Sequence, residues 1–326
     1  MIKKQTKKVL EVEGLRTSFF TRKGEVKAVD GISFFVREGE TLGLVGESGC
    51  GKTVTGLSLL RLLPEPAGRI LGGKIYLDGI NLLALSKKEM RAVRGKMISM
   101  ILQDPMTSLN PVYTVGEQIA EPVRQHQGLR GENAREAVIA ALRLLHIPSP
   151  ELRLRDYPFQ LSGGMRQRVV GAIAMSCNPR LLIADEPTTA LDATIQAQYL
   201  ALFKEVQKKT NVAIIFITHD FGVVARMCHR VAVMYAGKIV ETAPTEVIFK
   251  QPRHPYTKAL INSVPRLDRK VERLYSIEGQ PPSLMNLPPG CRFCPRCPEA
   301  KEICREQEPA EKQVGPEHSV FCWQVS

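Results

Sequence analysis

The sequence predicts an α/β fold: a mostly parallel sheet with an antiparallel β subdomain, an inserted α-helical subdomain and a small Cys-rich C-terminal extension. Two runs, 181–184 and 212–217, are almost continuously apolar, as in parallel strands covered on both faces. Between them, residues 194–208 carry apolar side chains at helical spacing. The strand, helix, strand order that results is typical of α/β sheets.

The N-terminal residues predict the antiparallel part. Residues 10–18 and 26–36 are predicted strands joined by a turn at 21–24. Residues 41–45 form a short apolar strand, which a glycine-rich loop and a helix follow. We expect Pro64 to end that helix.

Composition changes along the chain predict its domains. Residues 1–258 are expected to form the main domain, with the helical subdomain at about 88–178. Residues 259–326 form the extension, and the Pro- and Gly-rich stretch 279–290 is the linker candidate.

Charge and hydropathy limit the functional classes. The net charge of +12 suits nucleic acid, an anionic membrane surface, an acidic partner subunit or simply a solvated surface, because the basic residues are scattered. No run approaches the roughly 18 apolar residues that cross a bilayer. The N-terminal lysines lead into no apolar signal region, so secretion is not expected. Any membrane work is expected to require a partner.

The loop after the strand 41–45 predicts a phosphate site and a P-loop NTPase (RecA-like) core. Its sequence, GESGCGKT, matches G-x-x-x-x-G-K-[ST] between a strand and a helix. Backbone N–H groups of such a loop converge on phosphates, Lys52 neutralises them, and Thr53 offers a hydroxyl to Mg²⁺. The residues expected to bind ATP here are Gly46, Ser48, Gly49, Cys50, Gly51, Lys52 and Thr53.

Polar residues follow both apolar strands, at the sheet edge where α/β proteins bind ligands. Asp185 is expected to hold Mg²⁺, and Glu186 to act as general base on the attacking water. His219 follows the second strand. Its side chain is expected either to contact the γ-phosphate or to make a structural hydrogen bond.

Residues 161–167, LSGGMRQ, resemble the diagnostic LSGGQ-type motif of ABC ATPases, with Met165 as the one departure. The resemblance implies that Ser162, Gly163 and Gly164 meet ATP held by a second ATPase subunit, itself or a related chain, in a head-to-tail dimer. Ser162 also suits a helix N-cap.

Further positions match the same family. The resemblance implies that Gln103 is the Q-loop residue, which contacts the Mg²⁺ and water site and links it to the transmembrane subunits. It also implies that Asp192, in Ala190-Leu191-Asp192, belongs to the D-loop, and that His219 is the switch histidine. Phe19, with Phe20 as the alternative, is expected to stack on adenine.

Three stretches resemble the oligopeptide and dipeptide import branch: residues 103–111, residues 254–257 and the cysteine tail. The resemblance implies a peripheral ATPase at the cytoplasmic face of the cell membrane. Its partners would be permease subunits and, only indirectly, an extracytoplasmic solute-binding protein. Nickel or another small solute is the alternative cargo.

Other functional classes are weaker. DNA-acting relatives carry a long coiled coil between the Q-loop and the LSGGQ-type motif, and the ribosomal ones usually carry two phosphate loops. This chain has neither, so no nucleic-acid partner is expected. A redox- or metal-sensing role of the tail is compatible with transport.

The tail concentrates five of the eight cysteines: Cys291, Cys294, Cys297, Cys304 and Cys322. Clustered thiols in a segment with little apolar content predict a metal that stabilises it, either zinc or an iron-sulfur cluster, with free thiols as the alternative. The resemblance implies a [4Fe-4S] cluster on Cys291, Cys297, Cys304 and Cys322, with Cys294 as alternate ligand. Separately, the position of Cys50 near a helix N-terminus predicts a lowered pKa. The alternative is that Cys50 is simply a small residue that fills the loop.

Overall fold

The computed structural model describes residues 7–103, 108–189, 191–264 and 275–325. The chain divides into two compact units. Unit 1 comprises Met1–Leu10, Val36–Glu40 and Tyr76–Phe216. Unit 2 comprises Glu11–Phe35, Thr41–Ile75 and Ile217–Ser326.

The described residues form strands and helices throughout both units. The strands are β1 (Lys8–Thr21), β2 (Gly24–Arg37), β3 (Thr41–Val45), β4 (Gly68–Leu77), β5 (Ile80–Asn81), β6 (Ile98–Ile101), β7 (Leu181–Asp185), β8 (Ala213–Thr218), β9 (Arg230–Tyr235), β10 (Lys238–Pro244), β11 (Glu311–Gly315) and β12 (His318–Phe321). The helices are α1 (Lys52–Leu60), α2 (Lys87–Val93), α3 (Val115–Gln127), α4 (Gly131–Leu144), α5 (Pro150–Arg153), α6 (Gly163–Met175), α7 (Ala193–Thr210), α8 (Phe221–Met227), α9 (Thr245–Lys250), α10 (Pro255–Asn262) and α11 (Ile303–Glu306). Two 3₁₀ turns lie at Pro158–Gln160 and Cys294–Arg296.

Unit 2 contains a run of strands in the order β11-β12-β10-β9-β3. β3 pairs with β9 in parallel, from Leu42 opposite Arg230 to Val45 opposite Val233. The other neighbours in this run pair antiparallel. All five residues of β3 are buried, which fits its largely apolar sequence, and the following loop lies at the strand's carboxyl end.

Unit 1 contains another parallel pair of strands and a group of packed helices. β6 pairs with β7 in parallel, from Ile98 opposite Leu181 to Ile101 opposite Ala184. Helices α3, α4 and α6 pack against one another. A capping box begins α3, in which the side chains of Thr114 and Glu117 each accept from the other's backbone N–H.

Helix α1 ends earlier than the sequence predicts. Arg61 adopts the left-handed conformation, with φ +51°, directly after Leu60. The N–H of Leu62 then donates to the carbonyl oxygen of Leu57 at 2.9 Å. This is a Schellman-type end, so the helix stops before Pro64 can act.

The extension contacts the strands of unit 2 through both backbone and side chains. β12 pairs with β10, placing Val320 opposite Glu241. The buried Glu241 carboxylate accepts from Nε2 of His318 at 2.8 Å. Phe293 is buried against the rings of Tyr235 and Tyr256. Strand pairing and the buried ring of Phe293 therefore connect the extension to the strands of unit 2.

None of the helices within the described ranges is long and apolar enough to cross a membrane.

Candidate functional site

The loop between β3 and α1 has a backbone that depends on glycine at two positions. Gly46 has φ +152°, and a Cβ there would lie 2.1 Å from the carbonyl oxygen of Met234. Gly51 has φ +110°, and a Cβ there would lie 2.2 Å from the carbonyl oxygen of Ala28. The predicted phosphate loop is therefore a tight turn pressed against neighbouring strands, which no larger residue fits without a backbone shift.

Lys52, the first residue of α1, folds back over this loop. Its Nζ donates to the carbonyl oxygens of Gly46 at 2.9 Å and Glu47 at 3.0 Å. Its side chain is almost fully buried. The loop residues that are exposed are Ser48, Gly49 and Thr53. The loop thus combines a held ammonium group with an open rim, as an anion site requires.

Cys50 departs from the expectation for its thiol. The side chain is buried, with Lys52 Nζ 3.9 Å from its Sγ. Burial raises the pKa of Cys50, and this outweighs the opposing charge of Lys52. The prediction of a lowered pKa is therefore wrong, because the loop buries the sulfur instead of presenting it.

In unit 1, the carboxylates at the end of β7 occupy different environments. Asp185 is buried at the end of the strand, whereas Glu186 is half-buried and has φ +45°. Left-handed backbone at a non-glycine residue is frequent at functional sites. Nε2 of Gln103 donates to Oε2 of Glu186 at 3.1 Å, and Oγ1 of Thr189 donates to the same oxygen at 3.1 Å. The structure thus brings Gln103 and Glu186 together, and adds Thr189, which the motif analysis missed.

The LSGGQ-type segment opens helix α6. Ser162 caps the helix, its Oγ accepting from the N–H of Met165 at 3.4 Å, and both Ser162 and Gly163 are exposed. Nε2 of the buried Gln167 donates to the carbonyl oxygen of Pro187 at 2.6 Å. This second missed contact joins α6 to the residue that follows Glu186.

Asp192 is exposed and caps helix α7. Its Oδ1 accepts from the N–H groups of Thr194 and Ile195, each at 3.0 Å. Gly164 faces the same helix, since a Cβ on it would lie 3.1 Å from Cγ2 of Ile195. Ala190 of the matched D-loop lies outside the described residues, as do residues 104–107 of the stretch after Gln103.

The two remaining predicted nucleotide contacts lie in unit 2. His219 is exposed directly after β8. Phe19 is half-buried, and a Cβ on Gly68 would lie 3.0 Å from its ring, whereas Phe20 is exposed under the guanidinium of Arg69, 5.2 Å from the ring centroid. Which of the two rings meets adenine stays a prediction.

All eight cysteines lie within the described residues and are free thiols. Burial raises the pKa of Cys291 to about 11, and negative charge at Cys304 and Cys322 adds to this. Burial also raises the pKa of Cys297 to about 11, with further contributions from Cys291 and Cys322. These four thiols therefore lie close enough to influence one another. Within the described residues, however, no group of three or more His, Cys, Asp or Glu side chains has the geometry of a metal site.

Two family descriptions match this chain. Residues 29–189 match "ABC transporter", and residues 240–304 match "Oligopeptide/dipeptide transporter, C-terminal region". The first match spans the glycine-rich loop, the LSGGQ-type segment and the carboxylates after β7. The second spans the start of the cysteine tail.

Curated relatives match over nearly the whole chain. The dipeptide transport ATP-binding protein DppD of Bacillus subtilis (strain 168) is 52% identical over 316 residues, which cover 97% of this chain and 94% of the relative. The oligopeptide transport ATP-binding protein AppD of the same strain is 48% identical over 302 residues, covering 93% and 92%. Among solved structures, the dimeric structure of MJ0796, a bacterial ABC transporter cassette, has a TM-score of 0.64 at 24% identity and covers 72% of this chain and 98% of that chain.

Proposed function

Because this chain belongs to the ABC transporter family of ATP-binding proteins, we propose that it hydrolyses ATP to drive the import of dipeptides or oligopeptides. The peptide cargo is supported by the names and high identity of the dipeptide and oligopeptide transport relatives. The match at the C-terminal region supports the same branch. The chain acts peripherally, at the cytoplasmic face of the membrane.

The observation that carries the ATPase is the pair formed by Gln103 and Glu186 after a buried strand. Glu186 is proposed to accept the proton of the attacking water while the water oxygen bonds to the γ-phosphorus. The bond from that phosphorus to the β,γ-bridging oxygen breaks, and ADP and phosphate leave. Gln103 and Thr189 both donate to Oε2 of Glu186, which fixes the carboxylate while it takes the proton.

Residues of the glycine-rich loop are proposed to bind the phosphates. The loop amides and the Lys52 ammonium supply the positive field. Thr53 and Asp185 are hard oxygen donors and fit Mg²⁺, with Gln103 as a third contact. Mg²⁺ bound there would neutralise charge that develops on the phosphates. His219 is proposed to contact the γ-phosphate.

A second ATPase subunit is proposed to complete the nucleotide site. Ser162 and Gly163 are exposed at the start of α6, and their groups are available to a nucleotide held by another chain. Gly164 faces Ile195 in the first turn of α7, the helix that Asp192 caps. The dimeric state of the structural neighbour supports this arrangement.

An exposed apolar surface in unit 1 is proposed to receive the permease subunits. The rings of Tyr157 and Phe159 stack with centroids 5.6 Å apart, and both are exposed. The N–H of Val115 donates to the carbonyl oxygen of Asp156, which brings the exposed Tyr113 near this pair. Contiguous exposed apolar residues mark protein interaction sites on soluble domains.

The cysteine tail is proposed to hold a [4Fe-4S] cluster through Cys291, Cys297, Cys304 and Cys322. Electrostatic coupling among the clustered thiols, which includes Cys294 with Cys304, supports a shared site, and iron-sulfur clusters take four thiolates. The choice of these four ligands rests on the family resemblance. The described side chains do not have metal-site geometry, so the thiols would have to reorient. A cluster would cross-link the extension and would take no part in hydrolysis.

Metal analysis tests the cluster. We expect about four iron and four sulfide ions per chain after anaerobic purification. The Cys297→Ser variant should lose them and the Cys294→Ser variant should keep them. Zinc in their place, or neither metal, would contradict the cluster without affecting the ATPase.

A single substitution tests the ATPase. The Glu186→Gln variant is expected to bind Mg-ATP as the wild type does but to release phosphate at least about 100-fold more slowly, since general base catalysis contributes that much. Glu246→Gln, at an exposed ion pair with Lys250 on α9, is the matched control and should hydrolyse normally. Normal turnover by Glu186→Gln in the assembled transporter would reject the assignment of the base.

A further inference from the structure

Glu47 places a carboxylate inside the glycine-rich loop, where negative charge opposes the binding of a triphosphate. Arg296 contacts this carboxylate with both terminal nitrogens. Nη1 lies 2.7 Å from Oε2, and Nη2 lies 3.0 Å from Oε1. Arg296 ends the 3₁₀ turn Cys294–Arg296, in the middle of the cysteine cluster. A paired guanidinium-carboxylate contact therefore joins the extension to the loop, and paired contacts of this kind are both strong and directional.

All three nitrogens of the Arg296 guanidinium donate hydrogen bonds. Its side chain is only 4% exposed, against 28% for Glu47. Nε donates to the carbonyl oxygen of Glu278 at 2.9 Å, Nη2 to that of Ile277 at 3.3 Å, and Nη1 to the hydroxyl of Tyr235 at 3.3 Å. Nε therefore has one acceptor, and Nη1 and Nη2 each have one acceptor in addition to Glu47, so the guanidinium has a fixed position.

A second C-terminal residue, Tyr256, holds the backbone of Glu47. The backbone N–H of Glu47 donates to the Tyr256 hydroxyl at 2.9 Å. Tyr256 is buried, with its ring 4.6 Å from that of Tyr235 and 5.3 Å from that of Phe293. Both the main chain and the side chain of Glu47 are therefore fixed by residues that follow β9, and the aromatic cluster around Phe293 supports both contacts.

We propose that Arg296 is a positioning residue for nucleotide binding, through which the cysteine-rich extension sets the affinity of the phosphate loop for Mg-ATP. It neutralises the Glu47 carboxylate and prevents it from turning toward the phosphates. This inference rests on the proposed ATP binding. The extension thereby acts on the nucleotide site through protein contacts alone, whatever its thiols bind.

A charge-removal series on the full-length chain tests this role, with equilibrium binding of a fluorescent ATP analogue and Mg²⁺ as the readout. Arg296→Ala should weaken binding about tenfold, since contacting charged pairs couple by that order. Adding Glu47→Gln should recover most of the loss, because the unpaired carboxylate is then removed. The control is Lys258→Ala, which breaks another ion pair between the body and the extension, to Glu299 at 3.3 Å. It should bind within about twofold of wild type, because this pair is exposed.

The outcomes separate the two proposals. Failure of the wild-type chain to bind the analogue would reject the proposed function. Normal binding by wild type and by folded Arg296→Ala would overturn only the role of Arg296, as would a loss that Glu47→Gln does not recover. Should Arg296→Ala not fold, Arg296→Lys decides: its single ammonium cannot make the paired contact, so affinity should fall about threefold and return with Glu47→Gln. Unchanged affinity in Arg296→Lys would also overturn the proposal.

Discussion

Gly46→Ala is expected to be among the most damaging single-methyl additions to the phosphate loop. The new Cβ would lie 2.1 Å from the carbonyl oxygen of Met234 and 2.9 Å from Sγ of Cys50. An ordinary carbon-oxygen contact is about 3.3 Å or longer, so the backbone must move by about 1 Å. Met234 cannot give way easily, because its strand β9 lies between β10 and β3. Left-handed strain of about 1–3 kcal/mol and overpacking of about 1–3 kcal/mol together predict a loss of about 4 kcal/mol.

Alanine substitutions at two other glycines distinguish the effect of the steric contact from that of the backbone strain. Gly49 has φ +77° with no atom within 4 Å of the added Cβ, so Gly49→Ala should cost only the strain, about 1 kcal/mol. Gly72 also has open space and no positive φ, so Gly72→Ala should be neutral within about 0.5 kcal/mol. Thermal unfolding of the full-length chain measures all three. At about 2 °C per kcal/mol, Gly46→Ala should lower Tm by about 8 °C. A Tm within about 2 °C of that of Gly72→Ala would refute the steric reasoning.

Two further predictions concern the C-terminal half of unit 2. Phe293 is 1% exposed, so Phe293→Ala should lower the free energy of unfolding by about 3–5 kcal/mol. The control Phe159→Ala, at a position that is 67% exposed, should change it by less than about 0.5 kcal/mol. Urea denaturation compares the two variants, and equal losses would contradict the role of Phe293 as an anchor. Burial lowers the pKa of His254 to about 3, whereas the unfolded side chain has a pKa near 6.5. Between these pH values the unfolded state binds more protons than the folded state. The free energy of unfolding should therefore fall as the pH drops from about 6.5. His254→Asn keeps an acceptor for the N–H of Tyr256. This variant should lose part of the pH dependence, up to about 1.4 kcal/mol per pH unit. If the unfolding midpoints of both proteins change identically with pH, the role of His254 is contradicted.

Much of the fold follows from local pattern. The short strand predicted at 41–45 and the apolar runs at 181–184 and 212–217 correspond to β3, β7 and β8, and these strands are buried along their whole length. The predicted P-loop fold and the membership of the ABC family are confirmed by the structural neighbour and the relatives. The family resemblance pointed to Gln103 and the end of an apolar strand pointed to Glu186, and the structure brings these two side chains into contact, while their roles stay predictions.

What the sequence could not provide depends on contacts between distant residues. The pKa of Cys50 follows from how the loop packs, and the motif alone suggested the opposite direction. The anchoring of the extension depends on the pairing of β12 with β10. The ion pair of Glu47 with Arg296 spans 249 positions, and neither residue has a distinctive local pattern. No periodicity or motif predicts a contact of this kind.

The same long-range contacts give the extension a place in the nucleotide site. The N–H of Gly237 donates to the carbonyl oxygen of Cys50 at 2.9 Å, and Nη1 of Arg292 donates to the carbonyl oxygen of Ala236 at 2.5 Å. The turn after β9 is therefore held by the loop on one side and by the extension on the other. Together with the contacts at Glu47, this gives two connections from the tail to the loop that do not pass through the linker. We therefore expect a change in the packing of the cysteine-rich segment to alter the phosphate loop at Glu47 and Cys50, even where the chain between them is undisturbed.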